Sequence, residues 1–118
     1  IISCDTPEET EHKILQLLFN ENPPDSVFAI SDLTMTGVMK AIFKKELKVP
    51  TDISVIGFCE EPFRTMYNPH LTAIEPMGFE IGKKAVELLF DRLEDQINNI
   101  SKSRITYLES KIVEGGSI

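Results

Sequence analysis

The chain has 118 residues, 42% of them hydrophobic and 26% charged, and its 19 acidic and 12 basic residues leave a net charge of −7. That is the length of one ordinary domain, with enough apolar residues for a sizeable core. The acidic balance argues against direct nucleic-acid binding, which needs a Lys/Arg face to neutralise phosphates.

The basic residues are scattered, and no cluster grows beyond pairs such as Lys44-Lys45 and Lys83-Lys84. The longest apolar runs, such as "ILQLLF" interrupted by Gln16, are too short to span a bilayer, so no membrane partner is expected. Cys4 and Cys59 lie far apart without a CxxC spacing and read as reduced thiols of a cytoplasmic protein. The sequence opens on Ile1 within an apparent strand, so the chain is expected to be a piece of something longer.

In chain order, Ile1-Ile2-Ser3 reads as the end of a strand. "DTPEETEHKILQLLF" then carries three helix-start signals: Thr6 as N-cap, Pro7 at the first helical position, and Glu9 completing a Thr-x-x-Glu capping box. Leu15, Leu18 and Phe19 supply its apolar stripe, and Pro23-Pro24 end it. "SVFAIS" is a short apolar run of the kind buried on both faces of a sheet. The helix after it places Met35, Val38, Met39 and Ile42 on one side, a stripe that reads as core or as partner surface.

"ISVIGF" is a second buried strand, followed by a helical stretch near "EPFRTMY" and a third strand at "LTAI". A strong helix follows "EPMG", with Ile81, Ala85, Leu88, Leu89 and Leu93 on one face. "ISKS" turns the chain, "RITYLESKIV" reads as a final strand, and "EGGSI" as a tail. Strands alternating with helices through short loops give an α/β class with a mainly parallel sheet flanked by helices.

In an open parallel sheet, ligands bind outside the carboxyl ends of the strands. Three predicted strands end alike, in Cys4-Asp5, Ser31-Asp32 and Cys59-Glu60-Glu61, so Asp5, Asp32 and Glu60 are expected on one edge. Carboxylates there can accept hydrogen bonds from sugar or nucleoside hydroxyls, or hold an ammonium group. The alternative is structural: Asp and Ser are preferred N-caps, and acids at helix starts favour the positive end of the helix dipole.

No phosphate loop, dinucleotide fingerprint, nucleophile elbow or zinc-protease motif is present. His12 and His70 stand apart without paired ligands at metal spacing, so neither a metal nor a cofactor is expected. Phe58, Phe63, Met66 and Tyr67 read as core or pocket lining, and Cys59 as a pocket or core thiol.

Three stretches together carry a more specific resemblance: "PPDSVFAISDLTMTGVMKAI", "LKVPTDISVIGF" and "NPHLTAIEPMGFEIGKKAVELL". In that order and spacing they resemble the effector-binding domain of the lactose-repressor (LacI/GalR) family of bacterial transcriptional regulators, over nearly the whole chain. The resemblance implies the periplasmic-binding-protein-like fold, with residues 1–118 forming most of its C-terminal lobe and residues 78–95 crossing to a first lobe absent from this chain. It implies a small-molecule effector, often a sugar or purine, bound between lobes, and operator DNA bound through a helix-turn-helix headpiece that is also absent.

Carried over, Asp32 falls on an effector-contacting aspartate, Asp5 near another such strand end, and Ser31, Cys59 and Glu60 beside them. Glu75 and Pro76 fall at the hinge. The helix after Asp32 contributes to a homodimer interface in the family, which would enlist Met35, Val38, Met39 and Ile42. The chain also departs from the pattern. Cys59-Glu60 stands where the family usually has Asp-Asp, Glu75-Pro76-Met77 where Lys-Gln-Pro is frequent, and Glu114 where arginine is common. The competing readings are an exported sugar-binding receptor of the same fold, the same sensor joined to another output, and, more remotely, an enzyme, for which no nucleophile–base pair is found.

Overall fold

The computed structural model describes residues 1–97, 103 and 105–118. Helix α1 spans Pro7–Leu18 and starts as its sequence dictates: Thr6 Oγ1 accepts a hydrogen bond from the Glu9 N–H at 3.1 Å. The reciprocal arm differs from the expected box, because the Glu9 carboxylate accepts from the Asp5 N–H at 3.0 Å, one residue before the cap. Its buried stripe is Thr10, Ile14 and Leu18, not Leu15, Leu18 and Phe19. Thr10 can be buried because its hydroxyl donates to the Thr6 carbonyl at 2.9 Å. Phe19 caps the helix's far end, exposed, beneath the Lys45 ammonium at 3.4 Å from the ring centroid.

Strand β1 (Ser26–Ala29), helix α2 (Asp32–Lys44) and strand β2 (Ser54–Phe58) form a βαβ unit, with Val27 opposite Val55 and Ala29 opposite Gly57 in parallel register. A 3₁₀ turn at Phe63–Met66 leads to strand β3 (Thr72–Glu75), which adds in parallel with Gly57 opposite Ala73. Strand β4 (Lys111–Val113) follows in the order β1-β2-β3-β4. The core lies on one face of this sheet, where Val55, Leu71 and Ala73 pack with Met35, Val38, Met39 and Ile42 of α2 and with Ile14 and Leu18 of α1. Helix α1 approaches α2 closely at Gly37, where a Cβ would strike the Pro7 carbonyl and Thr10.

Four expectations change. The α2 stripe Met35, Val38, Met39 and Ile42 is 0–2% exposed, so those side chains fill this chain's own core and leave no surface for a dimer partner. Burial on both faces is not general: β2 alternates between buried and half-buried residues, and Phe28 and Ile30 are exposed, while β3 buries both faces only at Thr72 and Ala73. Residues 1–3 form no strand, having no ladder partner among the described residues. Of the predicted last strand only Lys111–Val113 forms; residues 105–110 are irregular, and Arg104 and most of the "ISKS" turn lie outside the described residues.

Contacts divide the chain into two compact units, Ile1–Glu75 with Ile112–Ile118, and Pro76–Lys111. The second contains helix α3 (Gly78–Ile97), whose predicted stripe remains about half exposed at Ile81, Leu89 and Leu93. At its start Met77 takes a left-handed backbone (φ 54°), a conformation that non-glycine residues seldom hold without reason.

The predicted tail is instead a latch. Ser117 is fully buried; its Oγ accepts from the Thr72 N–H at 2.8 Å and donates to the Val55 carbonyl, while its own carbonyl accepts from the Val55 N–H at 2.8 Å. Gly116 donates to the His70 carbonyl at 2.8 Å, and Gly115 admits no Cβ against His70 and Leu71. Ser117→Ala strands the buried Thr72 N–H, and chemical denaturation of the intact protein should show a loss of about 1–3 kcal/mol. An unchanged midpoint and slope would refute the latch.

Candidate functional site

Strand β1 gives way to α2 at Ser31, whose backbone is extended as an N-cap requires. Its Oγ accepts from the Thr34 N–H at 3.3 Å, and Thr34 Oγ1 accepts from the Ser31 N–H at 3.0 Å. This capping box satisfies the helix start with Ser31 and Thr34 alone. Asp32, at the first helical position, is therefore not needed as the cap. Its charge complements the helix dipole, but its Oδ1 is buried with no hydrogen-bond partner among the described residues. A buried acceptor left open costs free energy and calls for an explanation.

The register that sets Ala29 beside Gly57 and Phe58 beside Ile74 brings the carboxyl ends of β1, β2 and β3 to one edge. Cys59 follows β2 there, 1% exposed, its N–H 3.4 Å from the Ile74 carbonyl. Burial, with the Asp32 carboxylate beside it, pushes the Cys59 thiol up to about 12, so it stays a neutral SH. Its Sγ lies 3.8 Å from the Glu60 carbonyl. Whatever the thiol gives the Asp32 carboxylate, Oδ1 remains open.

The sequence reading missed Arg64, which the 3₁₀ turn brings to the same edge. Its N–H donates to the Glu60 carbonyl at 3.1 Å and its carbonyl accepts from the Leu71 N–H at 3.0 Å, so the turn is fixed at both ends. The side chain is 12% exposed and binds Glu61 through a terminal nitrogen. Its Nε forms an ion pair with Glu75 Oε1 at 4.0 Å, beyond hydrogen-bond reach, and is buried without a hydrogen-bond partner among the described residues. The signal in the sequence was a lone arginine in the acid-rich stretch "CEEPFR", read only as a helical stretch.

Of the other expected residues, Glu60 is exposed at this edge. Asp5 heads α1, exposed, and nothing among the described residues ties it to the Asp32–Cys59 pair, since the strand that would have placed it does not form. Glu75 is the last residue of the first unit and Pro76 the first of the second. Phe63 and Tyr67 pack against the core, Phe58 meets Phe28 edge-on at 6.0 Å, and Met66 is exposed. No group of three potential metal ligands, and no helix long and apolar enough to cross a membrane, occurs among the described residues.

The fold and its carboxyl edge have counterparts among known proteins. Residues 2–118 match the periplasmic binding protein-like domain family. The HTH-type transcriptional repressor CytR of Escherichia coli (strain K12) is 38% identical over 81 residues, 69% of this chain and 24% of that protein. The HTH-type transcriptional repressor PurR of Vibrio atlanticus (strain LGP32) is 29% identical over 115 residues, 98% of this chain and 33% of that protein. A LacI family transcriptional regulator from Arthrobacter sp. FB24, solved in complex with lactose, superposes with a TM-score of 0.84 at 28% identity, covering 99% of this chain and 43% of that one.

The chain thus belongs to the periplasmic binding protein-like domains, in the form found as the effector-binding domain of LacI/GalR regulators. It spans a third or less of these two curated relatives.

The protonated, buried state of Cys59 has a direct readout. Iodoacetamide at about pH 8, where an ordinary thiol is substantially ionised, should label Cys4 and spare Cys59 in the folded protein when sites are mapped by mass spectrometry. Equal labelling rates would contradict the placement of Cys59.

Proposed function

We propose that this domain senses a small polyhydroxylated molecule, a sugar or nucleoside, at the carboxyl edge of its sheet. Occupancy would alter operator affinity of the intact regulator through a headpiece outside this chain. The observation that carries the reading is Asp32 Oδ1, buried and open while Ser31 takes the cap. The relatives' roles as transcriptional repressors and the lactose complex of the Arthrobacter protein support it. A ligand that fits one arrangement of two lobes better than another shifts the population between them, and Glu75-Pro76 is the proposed hinge. Homodimerisation belongs to the same reading, with contacts drawn from residues other than the buried α2 stripe. The protein acts by binding and in the cytoplasm, and it needs no cofactor.

The test is a gel shift of the intact protein on DNA flanking its own gene, with lactose, ribose, cytidine and adenosine as probes. One of them should release or strengthen a specific complex. Asp32→Ala should weaken that probe's binding by about 1–3 kcal/mol with DNA binding and thermal stability retained, because Ser31 still caps α2. Equal probe affinity in the variant would sink the role of Asp32. Probe binding with no DNA complex under any condition would move the assignment to a receptor.

A further inference from the structure

Two buried polar side-chain atoms lack a hydrogen-bond partner among the described residues, and the reading above uses one of them, Asp32 Oδ1. The other is Arg64 Nε, a group that donates and never accepts. Leaving it open costs free energy that a nearby acceptor can recover. Arg64 is itself a fixed post. Its N–H is tied to the Glu60 carbonyl, its carbonyl to the Leu71 N–H, and a terminal guanidinium nitrogen is held by Glu61.

The acceptor at hand is Glu75. Its Oε1 stands 4.0 Å from Nε, so an approach closer by about 1 Å makes a charge-assisted hydrogen bond. Glu75 is also placed to move. The parallel ladder ends one residue before it, where Ile74 lies opposite Phe58 and its carbonyl accepts from the Cys59 N–H at 3.4 Å. One residue after it the second compact unit begins, and left-handed Met77 precedes helix α3. The carboxylate therefore sits beyond the last cross-strand pair of β3, while the guanidinium sits on a turn fixed at both ends. Glu75 stands where lysine is frequent in the family, so the pair is one of this chain's departures from that pattern.

We infer that Arg64 and Glu75 form a catch where the chain leaves β3. It is open in the present structure, and it closes in a second arrangement of Glu75, with Arg64 Nε–H donating to Oε1. Arg64 is a positioning residue in this device, because it acts on the chain exit through Glu75. The inference rests on the reading of Glu75-Pro76 as the hinge, and adds the interaction that favours the hinge's second arrangement. Glu61 takes no part in the closing step, since it holds a different nitrogen.

The experiment is nuclear magnetic relaxation dispersion on the intact protein labelled with ¹⁵N-arginine. The Arg64 Nε–H resonance is identified by its loss in Arg64→Lys. It should show exchange on the microsecond-to-millisecond scale of hinge motions. Glu75→Ala, at a side chain 31% exposed, should lower the closed population about tenfold or more and abolish that exchange. Glu61→Ala should leave the exchange in place, which a merely structural role for the cluster does not predict. The inference falls if the wild type shows no exchange, if Glu75→Ala leaves it unchanged, or if Glu61→Ala removes it equally.

Lactose, ribose, cytidine and adenosine are then added in turn. The one that binds should draw the exchanging resonance toward a single state. Binding that leaves the exchange unaltered overturns the catch as part of the hinge. The expected exchange and its loss in Glu75→Ala, with none of the four binding, supports the catch and counts against the sugar or nucleoside reading.

Discussion

Everything at the candidate site follows from the parallel ladder joining β1, β2 and β3. Parallel strands point the same way, so their carboxyl ends share an edge, and the register fixes which residues meet there. The ladder is held by one buried face, where Val55, Leu71 and Ala73 pack under α2. A slip of one residue would turn those side chains outward and carry Ser31-Asp32 away from Cys59. The Ser117 latch reinforces the register from the opposite end of the strands. It bonds Val55 and Thr72 at once, so β2 and β3 cannot shift without breaking buried hydrogen bonds.

The chemistry of the edge is set by which groups remain satisfied. Ser31 and Thr34 close the start of α2 between themselves, and this frees the Asp32 carboxylate. Glu61 occupies one side of Arg64 and leaves its Nε open. Burial keeps Cys59 protonated, so it adds no charge to this edge. Leaving a donor and an acceptor open in a half-buried place opposes folding slightly. A ligand that completes such a group recovers that cost on binding, which is how binding sites differ from cores.

The second unit shows a different economy. Helix α3 has the periodicity of a buried helix, yet Ile81, Leu89 and Leu93 remain about half exposed. The division between Glu75 and Pro76, with left-handed Met77 immediately after, places a backbone irregularity where the two units join in sequence. Glu75 faces Arg64 across 4.0 Å, so the residue that ends the first unit also stands at the carboxyl edge of the sheet.

The sequence by itself determined the class and much of the local structure. The strand–helix alternation, the Thr6-Pro7 start of α1 and the strand-end acids are short-range patterns, and periodicity and capping chemistry read such patterns directly. Its three signature stretches also pointed to the regulator family before any geometry was known. What tertiary structure decided depends on contacts far apart in the chain. The α2 stripe proved to be core because β2 and α1 cover it, which periodicity cannot distinguish from a partner's cover.

Asp32 was released from capping by Thr34, whose hydroxyl stood in for the acidic partner a capping box usually shows. Arg64 reached the carboxyl edge only when a 3₁₀ turn, tied to Leu71, brought its side chain within 4.0 Å of Glu75. The apparent tail became a latch because Ser117 finds its partners 45 and 62 residues away. Capping and periodicity are local and legible; which polar atom ends up buried and unpartnered is a property of the packed whole.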